Sequence, residues 1–390
     1  PAGKGDTRAY FSGRVDVVAG NLALVSRVLQ EPRIRQDPDW PGVPDSLGSV
    51  SIFCCSWRFP EAYLSAQFEH VHLFYGQMER NWGPVGVPGI PLSTAVYSRP
   101  ELGFELRFRT IQLQSTASQL QDADSSGAVI HRYFFTHRLG VRVTDRLSLA
   151  LWETTVLAGR DRSFDARYRN PLTLLVLANE YGLADRGNTL GGLDVSWEAD
   201  RRITLQGQFG LDDYAKRSSL EGHPSRYAFT IEAFGPLAKS MSYRALYTQA
   251  SSLAFRTFNP FENFTDNGVG LGRNFADDDQ TTVEVAIPVT PRWLVTPELT
   301  LLRQGEGSID DPYPATREAR LATPALFIGT VQRTWRAAVR VSGVEGPLRV
   351  QAQAGWHHIT NAGHLSGNTD DQFVGEIMLT LGLGFRGVLQ

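Results

Sequence analysis

The residues best suited to recognition chemistry in this 390-residue chain lie in Glu79-Arg80-Asn81-Trp82-Gly83-Pro84. A Trp ring stacks on the apolar face of a sugar, while Arg and Asn supply hydrogen bonds to hydroxyls or carboxylates. Arg80, Asn81 and Trp82 are therefore candidate ligand-binding residues. The competing reading makes Trp82 one more interfacial aromatic and Gly83-Pro84 a plain turn. Four acidic clusters, Asp212-Asp213, Asp277-Asp278-Asp279, Asp310-Asp311 and Asp370-Asp371, carry hard oxygen ligands of the kind that hold Ca²⁺. No EF-hand or nonapeptide repeat accompanies them, so they read as solvated loops and no metal is expected. His131, His137, His357 and His358 could serve a hydrolase, but no nucleophile motif stands beside them. Cys54 and Cys55 would point to opposite faces of a strand, an awkward geometry for a disulfide, and no CxxC spacing suggests zinc. No cofactor is expected, and the chain reads as a non-enzyme.

The formal net charge of −3 gives no reason to expect nucleic acid. The basic residues are nearly all Arg, with Lys only at Lys4, Lys216 and Lys239. Arg makes bidentate contacts with carboxylates and phosphates, whereas Lys acts as a point charge. A GC-rich genome would give the same bias, and composition alone does not decide between the two.

Strands must position these residues. Period-two alternation runs almost to the end of the chain. Phe373, Gly375, Ile377, Leu379, Leu381, Leu383 and Phe385 share one face of the last strand, against Val374, Glu376, Met378, Thr380, Gly382, Gly384 and Arg386. The same pattern over 102–109, 133–144, 335–342 and 348–357 turns Arg107, Arg109, Arg138, Arg142, Arg336, Arg340 and Arg349 inward with Arg386. Glu105, Glu232, Glu284 and Glu376 face them. Buried charges must pair, so an ion-pair network across strands is the favoured reading. Several strands approach the roughly 9–11 residues that a tilted strand needs to cross a bilayer. Tyr133, Trp335, Trp356, Phe373 and Phe385 sit at strand ends, as interfacial girdles require. No apolar run of about 18 residues offers a transmembrane helix.

The connections alternate. Short ones are expected at Gly20-Asn21, Phe59-Pro60-Glu61, Ser98-Arg99-Pro100, Asp145-Arg146, Ala199-Asp200-Arg201, Pro236–Lys239, Thr290-Pro291-Arg292 and Val344–Pro347. Long polar ones are expected at 30–46, 79–89, 115–128, 159–190, 212–225, 251–280, 304–324 and 359–371. The predicted fold is all-β: residues 1–390 as a single, closed antiparallel transmembrane β-barrel of about 18 strands (16–18), with short periplasmic turns and long extracellular loops. About seventeen strands can be counted. An eighteenth is expected toward the N-terminus, where residues 1–30 pattern poorly and the chain, opening at Pro1 without Met, reads as processed or truncated. Leu172–Ala178, the most apolar run, is read as part of an outer excursion; the alternatives are that it folds into the barrel mouth or lies as an interfacial segment. On this map the strand over 62–78 ascends and sets Arg80, Asn81 and Trp82 at the extracellular rim.

Glu79–Pro84 followed by Pro88-Gly89-Ile90-Pro91-Leu92-Ser93 resembles the Trp-Gly-Pro block of Wzi-like capsule-assembly outer-membrane proteins. Arg132–Leu139, Asn170-Pro171-Leu172 and Leu193–Trp197 followed by Leu205–Asp213 are similar too, so the resemblance spans most of 47–386. It implies an eighteen-stranded barrel in the outer membrane of a Gram-negative-type bacterium, which binds capsular polysaccharide and helps hold it at the cell surface. The chain departs from the pattern twice: no helical segment stands before the barrel, and Asn81 replaces a second Trp. The expected partners are a surface polysaccharide, with anionic groups suiting the Arg-rich interior, and outer-membrane lipid. A porin-like diffusion channel is the alternative, and an outer-membrane hydrolase of lipid or glycan is a third reading.

Overall fold

The computed structural model describes residues 11–31, 50–52, 55–94, 98–164, 170, 172–175, 187–213, 224–238, 240–266 and 268–384. Cys54, Phe385 and Arg386 lie outside the described residues, as does the side chain of Cys55.

The alternating sequence becomes strands. A first hairpin joins β1 (Phe11–Ala19) to β2 (Leu22–Glu31), and the three-residue β3 (Val50–Ile52) pairs with β4 (Cys55–Gln67). Next come β5 (Val71–Gln77), β6 (Pro100–Arg107) and β7 (Ile111–Gln119), then a short β8 (Ala123–Ser125) folded onto β9 (Ala128–Thr144). The wall continues with β10 (Leu147–Gly159), β11 (Asn188–Asp200), β12 (Ile203–Asp213), β13 (Arg226–Ala238) and β14 (Met241–Ala250). A separate small hairpin of β15 (Thr265–Asp266) and β16 (Val269–Gly270) interrupts it. The last strands are β17 (Asp278–Thr290), β18 (Trp293–Gln304), β19 (Gln332–Glu345), β20 (Leu348–Thr360) and β21 (Thr369–Leu381).

One 19-stranded sheet holds everything except β15 and β16. Without the short β3 and β8, seventeen long antiparallel strands follow one another around the wall. β1 pairs with β2 and β21 with β20, and among the described residues no ladder joins β1 to β21. Both run toward the short-turn rim, so an even antiparallel count needs one more strand of opposite direction. The expected eighteenth strand is not among the described residues.

Short and long connections alternate throughout, as predicted, but two turns move. Phe59-Pro60-Glu61 is no turn: β4 runs through it, with a register shift against Arg27 and Leu29 of β2. A bulge leaves a position unpaired, which suits a residue without an N–H. The chain turns instead at 68–70, where Phe68 N–H donates to Val71 O at 2.7 Å. Ser98-Arg99 is likewise the end of a long inward loop, and the turn expected there occurs at 108–110 between β6 and β7.

The outward positions carry the exposed apolar residues, among them Leu73, Leu102, Leu151, Phe209, Ile231, Val283, Leu299, Trp335, Trp356 and Phe373. A band of this kind suits a lipid environment. No helix of the described residues is long and apolar enough to cross a membrane. The core lies inside the wall, where the described parts of the loops 78–99 and 251–277 fold inward. Trp82, Ile90, Leu92, Phe255, Phe264 and Leu271 of these loops pack with Phe134, Trp152, Val156 and Leu190 of the wall.

Candidate functional site

The block 79–93 enters the lumen and ties itself into a knot. Asn81 Nδ2 donates to Val87 O at 2.8 Å, and Asn81 Oδ1 accepts from Gly89 N–H at 2.7 Å and Gly83 N–H at 3.2 Å. The backbone of Gly83 and that of Gly89 approach so closely that a Cβ on either would fall within 2.6 Å of main-chain atoms. The second loop locks the knot: Ser93 N–H donates to Leu271 O at 3.1 Å and its hydroxyl to Gly272 O. Arg132 pins that second loop by donating to Phe261 O and Thr265 O at 2.7 Å.

This corrects the rim position expected for Arg80, Asn81 and Trp82. All three sit within the barrel, because the Gly and Pro residues that end the strand fold the chain inward. The Arg80 guanidinium pairs with Glu101 and lies over the Phe74 ring, 4.8 Å from its centroid. Burial, with Arg99 beside it, pulls its pKa down to about 9. Asn81 spends its side chain on the loop itself. Asn81 is exposed, while Trp82, only 9% exposed, borders an open space.

That space is a pocket of about 480 Å³ on the short-turn side of the knot, roofed by Trp82 and Pro84. Arg107, Arg109, Arg138, Arg142, Gln206 and Asp194 line it. Asp194 organises one wall, accepting from Trp152 Nε1 and Gln208 Nε2 at 2.8 Å and pairing with Arg138 at 3.0 Å. Gln208 also donates to Trp82 O at 2.7 Å and accepts Ile90 N–H at 2.6 Å, which fixes the roof. Arg107 pairs with Glu105. Arg109, which stands in the 108–110 turn and not in a strand, and Arg142 line the pocket without an ion-pair partner among the described residues. The loop tip crosses the lumen at Val85, whose N–H donates to Gln206 Oε1 at 3.0 Å. Beyond it a second pocket of about 300 Å³ contains Glu232, Arg244 and Glu284.

The remaining inward charges largely form the expected network. Arg244 bridges Glu232 and Glu284, and Glu298 pairs with Arg336 at 3.3 Å and Arg340 at 3.1 Å. Arg349 is exposed, and Glu376 lies on β21. Asp194, Gln206, Gln208, Arg244 and Glu298 were missed as site residues. The first three were legible as the inward members of the alternating Leu193–Trp197 and Leu205–Phe209. The acidic clusters are corrected in part: Asp212 and Asp277–Asp279 are buried anchors, not solvated. Asp277 accepts backbone N–H groups of Phe327, Ile328 and Gly307 at 2.6–3.0 Å, and burial still raises its carboxyl above the ordinary range.

A β-barrel wall with an apolar outer band and a loop-filled interior defines an outer-membrane barrel. No protein-family model matches the chain, and no curated protein matches it. Solved structures do. The chain is similar to Wzi of Escherichia coli, described as an outer-membrane protein involved in group 1 capsule assembly and a carbohydrate-binding β-barrel. The TM-score is 0.64, with 14% identity over 94% of this chain and 76% of that one. It is also similar to OccD3 of Pseudomonas aeruginosa, at TM-score 0.51 and 8% identity over 96% of this chain and 86% of that one. At these identities the likeness is one of fold, and at that level it agrees with the resemblance read from the sequence.

Proposed function

We propose that the protein is a non-enzymatic outer-membrane barrel that binds surface polysaccharide, with the pocket under Trp82 as its saccharide subsite. One observation carries this reading. Two inward loops close part of the lumen with a packed apolar core, and the space beneath them is bordered by Trp82, 9% exposed, and by two arginines that have no ion-pair partner among the described residues. Stacking on Trp82 with hydrogen bonds from Arg109 and Arg142 suits a saccharide bearing carboxylate or phosphate groups. The fold likeness to a carbohydrate-binding barrel supports the saccharide class. Short turns face the periplasm in barrels of this kind, so the glycan segment engaged is its inner end.

The test is binding of the purified barrel to surface polysaccharide from its own organism. Trp82→Ala is expected to weaken binding about tenfold, and because Trp82 is also a core side chain the comparison is made on the assembled fraction. The double variant Arg109→Gln/Arg142→Gln should weaken it most at low salt, where screening is least. Parental binding by both variants would move the site elsewhere. A large, stable single-channel conductance would instead favour the diffusion channel.

A further inference from the structure

The outer surface of the wall between β7 and β11 departs from the apolar band around it. The strand register sets Ser115 opposite His137, His137 opposite Glu153, and Glu153 opposite Gly191, all on outward positions. Toward the short turns this row is bordered by the exposed Leu139 and Leu151. Toward the long loops, Phe135 and Leu157 are covered by Leu175, with Phe164 packed against them. The row therefore lies at the long-loop margin of the membrane-facing band.

His137 Nδ1 lies 3.2 Å from Glu153 Oε1, and the same oxygen accepts Leu175 N–H at 2.7 Å. The carboxylate is thus in use, holding the 172–175 segment against the wall. The imidazole is only half used. His137 is 6% exposed, and its Nε2 is buried with no hydrogen-bond partner. A buried polar nitrogen left unpaired is costly and calls for an explanation. Beside it runs a groove of about 530 Å³, lined by His137 with Leu113, Leu139, Leu151, Leu172 and Leu174. Gly191 puts no side chain next to Glu153, and a Cβ there would meet nothing nearer than 4.0 Å. The groove therefore has free space beside the polar pair, whose own side chains are buried.

We propose that this groove is a lipid site: it holds one acyl chain of an outer-membrane lipid, and a hydroxyl on that chain hydrogen-bonds His137 Nε2. The occupant follows from the surroundings, because the groove opens onto the membrane-facing band and five leucines line it. The hydroxyl follows from the imidazole. With a hydrogen on Nδ1 toward Glu153, Nε2 is an acceptor in the neutral ring and a donor in the imidazolium. A hydroxyl satisfies either state, whereas an ester carbonyl satisfies only the second. Leu172 and Leu174, on the segment that Glu153 anchors, form the outer lip. The site is independent of the saccharide pocket, which lies on the other side of the wall.

Native mass spectrometry of the purified barrel tests this, using a phospholipid with one 3-hydroxyacyl chain against the same lipid without the hydroxyl. The parent should retain one hydroxylated lipid and prefer it about fivefold, the worth of one hydrogen bond. Gly191→Leu should fill the groove and abolish retention of both lipids. His137→Phe/Glu153→Gln keeps an acceptor for Leu175 N–H, and should retain lipid while losing the preference. Equal retention of the two lipids by the parent would overturn the proposal. So would unchanged retention in Gly191→Leu, unchanged preference in the double variant, or a mass showing a second barrel in place of lipid. Should a variant fail to assemble, the parental comparison of the two lipids decides alone.

Discussion

Asn81 shows how a residue type suited to recognition can be largely committed by the fold. Its amide serves one carbonyl and two N–H groups of its own loop, which leaves a single Nδ2 hydrogen for a ligand. Asn81→Ala should cost about 1–3 kcal/mol of stability, because Val87 O and Gly89 N–H would be left unpaired inside the barrel. Chemical unfolding monitored by Trp fluorescence measures this, and an unchanged midpoint would mean that the knot holds without the amide. Arg80 is similarly committed, to Glu101 and Phe74. Removing its charge should therefore lower stability and leave the salt dependence of glycan binding unchanged, whereas the exposed Arg109 and Arg142 should control that dependence.

At the level of elements, the wall depends on alternation more than on turn chemistry. Leu299 is outward and exposed on β18, while its neighbour Thr300 is inward, buried and hydrogen-bonded to Thr282 at 2.9 Å. Leu299→Arg should cost about 2–4 kcal/mol of barrel stability by placing a cation in the lipid band. Leu299→Met, read in the same reversible unfolding experiment in lipid vesicles, should be nearly neutral. Equal effects would mean that this face does not meet lipid. Among the loops, 305–331 is gathered on one carboxylate, where three of its N–H groups donate to Asp277, with further ties from Ser252 to Pro324 and Ala325 and from Arg256 to Asp311. Asp277→Ala should loosen it, and limited proteolysis should then cut near Arg317 or Arg320 faster than in the parent.

For the whole molecule, the inward loops decide which surfaces a cell presents. Residues 251–277 form a long connection that length alone would mark as exposed, yet most of it is buried in the lumen. Protease added to intact cells should spare it and cut, if anywhere, within the exposed hairpin tip 121–127 or near Arg317. Cleavage at Asp145-Arg146 or Pro291-Arg292 in sealed cells would invert the topology. The long apolar run beginning at Leu172 takes one of the places expected for it. In its described part it lies against the outside of the wall, with Leu175 over Phe135.

The sequence by itself determined the wall. A two-residue period, sustained through strand after strand and punctuated by alternately short and long connections, has few solutions other than a barrel, because every outward residue must suit one environment and every inward residue another. The inward positions of Arg138, Arg142, Arg336 and Arg340 were legible for the same reason. Turns without Gly or Pro at 68–70 and 108–110 were not, since nothing local distinguishes them from strand, while Pro60 imitated a turn and proved to be a bulge. What only the tertiary structure decided is where the loops go. Trp82 reads identically at a rim or in a lumen. Its place is fixed by Gln208 and Ile90, and by a second loop about 180 residues further on, through contacts that no local pattern encodes. The pairing of His137 with Glu153 under Leu175 was hidden for the same reason: it depends on strand register, which only the assembled wall sets.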